Sequence, residues 1–335
     1  MVDYRLPQHR RAYFHSLYEM TLQYGVSPNL VYLYLPALAK HYGWTAEERY
    51  WYAFLNGLTQ NCITSLRLFN VCPAVPTAAE LQRLGQYFSD NWSSLQYDTD
   101  RRYQKAETID AIAAYAQAVD NSGGTQERML SGKSFAQLWA TARSYKSFGR
   151  LSAFSYLEYL YISGLGADCS SMFFNDRSGS RSHRNGILYL LGLDTLVWDR
   201  RSGNGFDGNY SDFEQLCVYL EYHAGLLLQQ QAERQLHPHA CRYTLESVLC
   251  TFKNHFFGRR YAGVYADISW QRIQWADDRG QREHTEVFKA IRAQHLPVWL
   301  RDECSAADQP SIAARAGMFP STGQPYRMEY LQGLS

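Results

Sequence analysis

The stretch from Asn175 to Arg201, NDRSGSRSHRNGILYLLGLDTLVWDRR, gathers the residues best suited to handling an anion. Arg177, Arg181, His183, Arg184 and Asn185 crowd around Gly179, an apolar run follows, and Asp199, Arg200 and Arg201 close the segment. A Ser/Gly/Arg loop feeding the first turn of a helix offers free backbone N–H groups at the positive end of the helix dipole, and both favour an anion. Arginine adds a planar fork that matches phosphate oxygens two at a time. These side chains bring no core packing, and neighbouring like charges cost energy until an anion offsets them. The expected ligand is polyanionic.

Three further basic groups accompany the loop: Arg101-Arg102 with Lys105, Lys146 with Arg150, and Lys253 with Arg259 and Arg260. Lys146 and Arg150 stand at i,i+4 and on one helix would share a cationic face. For Arg101-Arg102 a solvated surface is the plainer reading. Among the carboxylates, Asp176 sits one residue before Arg177 and could orient an arginine or act as a general base. Glu158 lies in the apolar run YLEYLY, so it is either an arginine's partner or a functional acid/base. Asp194, Asp199 and Asp267 are further acidic neighbours of these clusters. Glu246 and Lys253 are two helical turns apart with Cys250 midway, a stripe that could face the same cavity as the loop.

Composition narrows the chemistry. Lys+Arg 33 against Asp+Glu 32 leaves a net charge of +1, so nucleic-acid binding would have to come from clustered charge rather than a global field. The 26 Tyr and 8 Trp are read mainly as core, with stacking platforms for bases as the sharper alternative. The 7 Cys form no CxxC pair and read as reduced thiols of a cytoplasmic protein. His237, His239 and Cys241 are the one candidate metal cluster, but Pro238 between the histidines favours a loop. No apolar leader or long apolar run occurs, so neither secretion nor membrane insertion is expected. GxxxxGK[ST], GxGxxG, GxSxG and HExxH are all absent, which disfavours P-loop hydrolysis, NAD chemistry and zinc hydrolysis.

Helices must position these residues. Thr45 and Glu48 form a capping box before EERYWYAFLNGLTQNCITSLRLF, and Ser211 and Glu214 form another before DFEQLCVYLEYHAGLLLQQQAERQL. Helical spacing continues over 108–119, 134–148 and 151–163, the last apolar enough to be buried. A helix over about 244–257 ends at Gly258 and runs into Arg259-Arg260-Tyr261. YAGVYADISW, Tyr261 to Trp270, is the best strand candidate, and no βαβ alternation appears. The expected fold is mainly α with little β structure: one helical catalytic unit over 1–303, with any lobe boundary near 121–133, then an irregular tail over 304–335.

Three segments carry a family likeness: KSFGRLSAFSYLEYL, FNDRSGSRSHRNGILYLLGLDTL and TLESVLCTFKNHFFGRRYAGVYADI. In these the chain resembles the bacteriophage alpha-glutamyl/putrescinyl thymine pyrophosphorylases, also described as amino acid:DNA transferases, from about Tyr32 to Arg301. The resemblance implies a helical DNA-glycosylase-like fold, a phage-encoded enzyme in the bacterial host cytoplasm, and double-stranded DNA carrying a modified uracil as substrate. It implies that the amine of a free amino acid displaces pyrophosphate from 5-(pyrophosphoryloxymethyl)uracil. No organic cofactor is implied and no metal is required, although Mg²⁺ can accompany the pyrophosphate.

On that reading Arg181, His183, Arg184, Lys253, Arg259 and Arg260 bind the leaving group, with Asn185 adding a directed hydrogen bond. Arg177, Lys146, Arg150 and Asp267 are further candidates on the pyrophosphate or DNA side. His183 and Arg184 are assigned to catalysis, and Asp176 or Glu158 to deprotonating the amine, with Asp267 a weaker third. Tyr156, Tyr159 and Trp270 are candidates to stack on an extruded base. One departure is visible. Helical glycosylases present a Gly-rich hairpin followed by an Asp, which GRLSAF and SGLGADC, with Asp168, match only loosely. Two alternatives stay open: a glycosylase-like base-excision enzyme, and a non-catalytic reader of modified DNA.

Overall fold

The computed structural model describes residues 2–172, 182–197, 213–233, 240–301 and 310–327. In chain order its α-helices are α1 (Pro7–Tyr24), α2 (Val31–Tyr42), α3 (Ala46–Thr59), α4 (Cys62–Val71), α5 (Ala78–Asp90), α6 (Thr108–Asn121), α7 (Gln126–Leu130) and α8 (Phe135–Ser144). There follow α9 (Arg150–Ile162), α10 (Ser182–Leu190), α11 (Phe213–Glu233), α12 (Arg242–Phe256), α13 (Val264–Asp277), α14 (Arg282–His295) and α15 (Ile312–Thr322). No strand occurs among the described residues, so the fold is mainly α as expected. No described helix is long and apolar enough to cross a membrane.

Local chemistry starts several of these helices. Thr45 and Glu48 make the expected capping box on α3, and Thr77 with Glu80 and Ser134 with Gln137 repeat it on α5 and α8. Ser211 lies outside the described residues, so the second expected box is not at issue. α9 is buried along nearly its whole length, as its unbroken apolar run requires.

The chain divides into two compact units. One comprises Met1–Leu30, Met172–Ile268 and Leu296–Ser335, and the other Val31–Ser171 and Ser269–His295. The breaks therefore lie elsewhere than near 121–133, and neither unit is continuous in sequence. The first unit is built on aromatic packing between α1, α12 and α15. Tyr13 stacks on Phe319 at 5.3 Å, and Phe14 meets Phe252 edge-on at the same separation. In the second unit Phe54 stacks on Tyr115 at 3.7 Å, and Phe148 and Tyr156 close the cluster. Much of the tyrosine surplus is thus spent on the cores.

Three expectations are corrected. Tyr261–Trp270 is not a strand, because Gly263 turns the chain at φ +84° and α13 then runs from Val264 to Asp277. The tail is not wholly irregular: Ser311 caps α15 by accepting from the Ala314 amide, and Gly323 ends it in the left-handed region at φ +74°. Lys146 and Arg150 do not share a helix, because α9 begins at Arg150 after the N-cap Gly149.

Candidate active site

The residues SHRNG form the first turn of α10. Asp176, Arg177 and Arg181 lie outside the described residues. His183, Arg184 and Asn185 are only 2%, 4% and 3% exposed, which takes them off the solvated surface. Gly186 explains how. A Cβ placed there would sit 2.5 Å from the Leu249 carbonyl oxygen of α12, so the two helices pack backbone against backbone. His183 Nδ1 lies 3.3 Å from Glu246 Oε1. With His183 opposite Glu246 and Gly186 opposite Leu249, α10 and α12 run side by side in the same sense at this contact.

Along α12 the expected stripe holds: Glu246, Cys250 and Lys253 follow at helical spacing, with Glu246 and Lys253 each 8% exposed. Burial pushes the Lys253 amine below its usual value, and Arg259 and Arg260 push it the same way against Cys250 and Glu246. Past the helix end, Gly258 adopts φ +61° and the amides of Arg259 and Arg260 both donate to the Asn254 carbonyl, at 2.9 and 3.3 Å. This turn brings the Arg259 guanidinium to 5.1 Å and the Lys253 Nζ to 5.9 Å from the Phe257 ring centroid. Arg260 donates to the Arg259 carbonyl at 2.8 Å and lies over Tyr265. Neither Arg259 nor Arg260 meets a carboxylate among the described residues. The dipole at the C-terminus of α12 welcomes some of this charge. It does not account for a buried ammonium whose charged form is disfavoured, which an incoming anion would restore.

Other expected site residues are placed differently. Asp267 is 3% exposed and fully engaged: it accepts from Tyr261 at 2.5 Å, from Arg315 at 2.8 Å, and from the two Nη atoms of Arg327 at 2.9 and 3.0 Å. It binds the C-terminal segment through Arg315 and Arg327. Glu158 accepts a 2.5 Å hydrogen bond from Tyr32, a partner the sequence did not suggest. Lys146 is taken up by Asp110 at 2.7 Å, and Arg150 lies over the Trp139 ring. Tyr156 and Tyr159 are 0% and 1% exposed, which closes them to base stacking. Arg101 is buried, donating to the Leu58 and Ser147 carbonyls, while Arg102 alone is the exposed member of its pair. Asp168 is exposed and accepts from the amide and hydroxyl of Ser170 in its own turn.

The sequence reading missed Gly186 and the pairing of His183 with Glu246. A glycine inside a helical run was the available signal, since it weakens a helix unless close packing needs it.

The structure thus presents a helical protein with a histidine–carboxylate pair on one crossing of two helices and three cations at the end of one of them. The sequence profile of the amino acid:DNA transferase family matches residues 30–261, and the chain belongs to that family. It is a transferase that joins an amino acid to DNA. The serinyltransferase of Salmonella phage ViI is 27% identical over 354 aligned residues, covering 99% of this chain and 85% of that protein. No solved structure matches the chain. The family match takes in α10, α12 and Arg259-Arg260, and stops short of Asp267 and its two arginine partners.

Proposed function

We propose that the chain transfers an amino acid to the 5-methylene carbon of 5-(pyrophosphoryloxymethyl)uracil in DNA, releasing pyrophosphate. The amine lone pair attacks the methylene carbon, the C–O bond breaks, and its electron pair leaves on pyrophosphate. The proton lost from the new ammonium goes to a base. The gathering of Lys253, Arg259 and Arg260 at the end of α12 carries this reading. Preorganised cations stabilise a leaving group whose charge grows as the bond breaks, and each such group is worth about 3–4 kcal/mol of barrier in comparable sites.

Arg184 and Asn185, buried on the first turn of α10, are further candidates to contact the anion. His183, held near Glu246, is assigned to receive the amine's proton, because a neutral imidazole beside a carboxylate accepts and stabilises a proton well. Arg177 and Arg181 join the set by their place in the sequence just ahead of α10. The target base would be extruded from the duplex at a cost of a few kcal/mol. Since the similar phage protein is named a serinyltransferase, serine is the first amine to try.

The test is mass spectrometry of nucleosides after incubating the protein with pyrophosphorylated hydroxymethyluracil DNA and a pool of amino acids. The expected result is one aminomethylated uracil per pyrophosphate released. Abasic sites in place of that product would show glycosylase chemistry instead.

A further inference from the structure

We propose that the second unit carries a DNA-holding subsite, at the turn between α2 and α3, that takes one nucleotide of the substrate strand by phosphate and ring. The inference rests on the family's DNA substrate and not on the chemistry assigned to α10 and α12.

α2 ends in Lys40-His41-Tyr42, Gly43 reverses the chain at φ +65°, and Trp44 follows. Here a cavity of ≈ 290 Å³ opens, lined by Pro36, Lys40, Trp44, Arg49, Ile162 and Ser163 among others. That lies just under the roughly 300 Å³ at which small-ligand cavities begin. At the same turn Tyr42, 45% exposed, stacks on Trp44 with centroids 5.7 Å apart and planes 16° apart. His41 meets Tyr42 edge-on at 4.6 Å, and Tyr52 and Phe69 brace Trp44 from the protein side at 4.7 and 4.6 Å. The rings therefore form a supported platform with one member facing solvent.

The cations are arranged for an anion. Arg49 is oriented by its 2.7 Å hydrogen bond to the Ser163 carbonyl, and neither it nor Lys40 pairs with a carboxylate among the described residues. The nearby N-terminus of α3 is closed by its own capping box, so side chains rather than helix amides would hold the ligand. Lys40 and His41 also complement the dipole at the end of α2. Arg49 likewise donates to the carbonyl of Ser163, the C-cap of α9, which leaves the exposed ring stack beside these cations unexplained by helix ends alone. Cations beside stacked aromatics are the recurring means of holding a nucleic-acid strand without reading its sequence. A strand extends well beyond the reacting base, so its other nucleotides need such points of support.

The experiment measures binding of an unmodified oligonucleotide, single-stranded and duplex, by fluorescence anisotropy across a salt series, with no amino acid present. Lys40→Glu and Tyr42→Ala change exposed side chains and leave the core alone, while Arg83→Glu on α5 is a charge-matched control. Lys40→Glu should weaken binding at least about fivefold and lower the slope of log K against log salt by about 0.9, the value for one phosphate contact. Tyr42→Ala should weaken binding about as much with the slope unchanged, and Arg83→Glu should bind as the parent does. Parent-like affinity in both Lys40→Glu and Tyr42→Ala overturns the subsite. Equal losses in Lys40→Glu and Arg83→Glu also overturn it, by reducing the effect to net charge. Because the DNA carries no pyrophosphate, these outcomes are independent of whether the proposed transfer chemistry holds.

Discussion

Two groups of cations in the same unit are treated in opposite ways. Arg315 and Arg327, 6% and 5% exposed, converge on the single carboxylate of Asp267, and Tyr261 donates to the same carboxylate. About ten residues earlier, Lys253 and Arg259 lie over Phe257 and Arg260 over Tyr265, with Glu246 two turns back and leaning toward His183. The first group is a closed network whose members satisfy one another. In the second, Arg259 and Arg260 meet no carboxylate among the described residues. A closed network suits holding the chain together, and an open one suits a ligand that arrives and leaves as an anion. The family match follows the same line, since it includes the open group and ends at Tyr261, before the carboxylate of the closed one.

The sharpest way to break this comparison is to open the closed network. Asp267→Ala would strand two buried guanidinium groups, and removing one partner of a buried ion pair costs roughly 3–5 kcal/mol. In a chain of this size that corresponds to a fall in Tm of about 4–7 °C. Asp267→Asn, which keeps hydrogen-bond acceptance, should fall less. A thermal melt that leaves Asp267→Ala within a degree or two of the parent would show that the two arginines find other partners, and the contrast between the groups would collapse.

The open group should respond the other way. Lys253→Met removes the cost of burying an ammonium, so Tm should hold or rise, while turnover falls about 10²–10³-fold through loss of charge on the leaving group. Inorganic pyrophosphate should raise the parent's Tm and raise that of the variant much less. If Lys253→Met lost stability as Asp267→Ala does, Lys253 would belong to the framework and not to the site.

How far the sequence could show this division depends on distance along the chain. The cap on α3, the buried run of α9 and the stripe Glu246, Cys250 and Lys253 are local patterns, readable from spacing alone. The cation cluster was readable too, because Lys253, Arg259 and Arg260 are near neighbours in sequence. Asp267 was not: its partners lie 48 and 60 residues further on, and nothing local distinguishes a carboxylate reserved for them from one facing a substrate. The same holds for His183 and Glu246, which meet only because Gly186 lets two helices touch. α13 was misread because ten residues satisfy both a period of two and a period of 3.6, and α15 because Pro320 inside it argues locally against a helix.

A smaller effect separates framework from site within α12 itself. His255 lies two residues beyond Lys253, fully buried, with its Nδ1 2.7 Å from the Tyr13 hydroxyl. Burial pushes the imidazole down to about 3, so it stays neutral where an exposed histidine would protonate. Between about 3 and its ordinary value of 6.5 the unfolded chain binds a proton that the folded chain refuses. The stabilisation is therefore complete above about 6.5 and drains away as the pH falls toward 3, by up to about 1.4 kcal/mol per pH unit. Lys253 is displaced in the same direction, but its window lies below the ordinary lysine value, so its burial is a standing cost at neutral pH. From pH 6.5 to 5 the parent should lose about 2 kcal/mol through His255, and His255→Gln, which cannot be protonated in this range, should lose correspondingly less. Melting both proteins at the two pH values decides it. Parallel losses would place the acid sensitivity elsewhere, whereas a flatter profile for His255→Gln marks His255 as framework on the helix that carries Lys253 to the site.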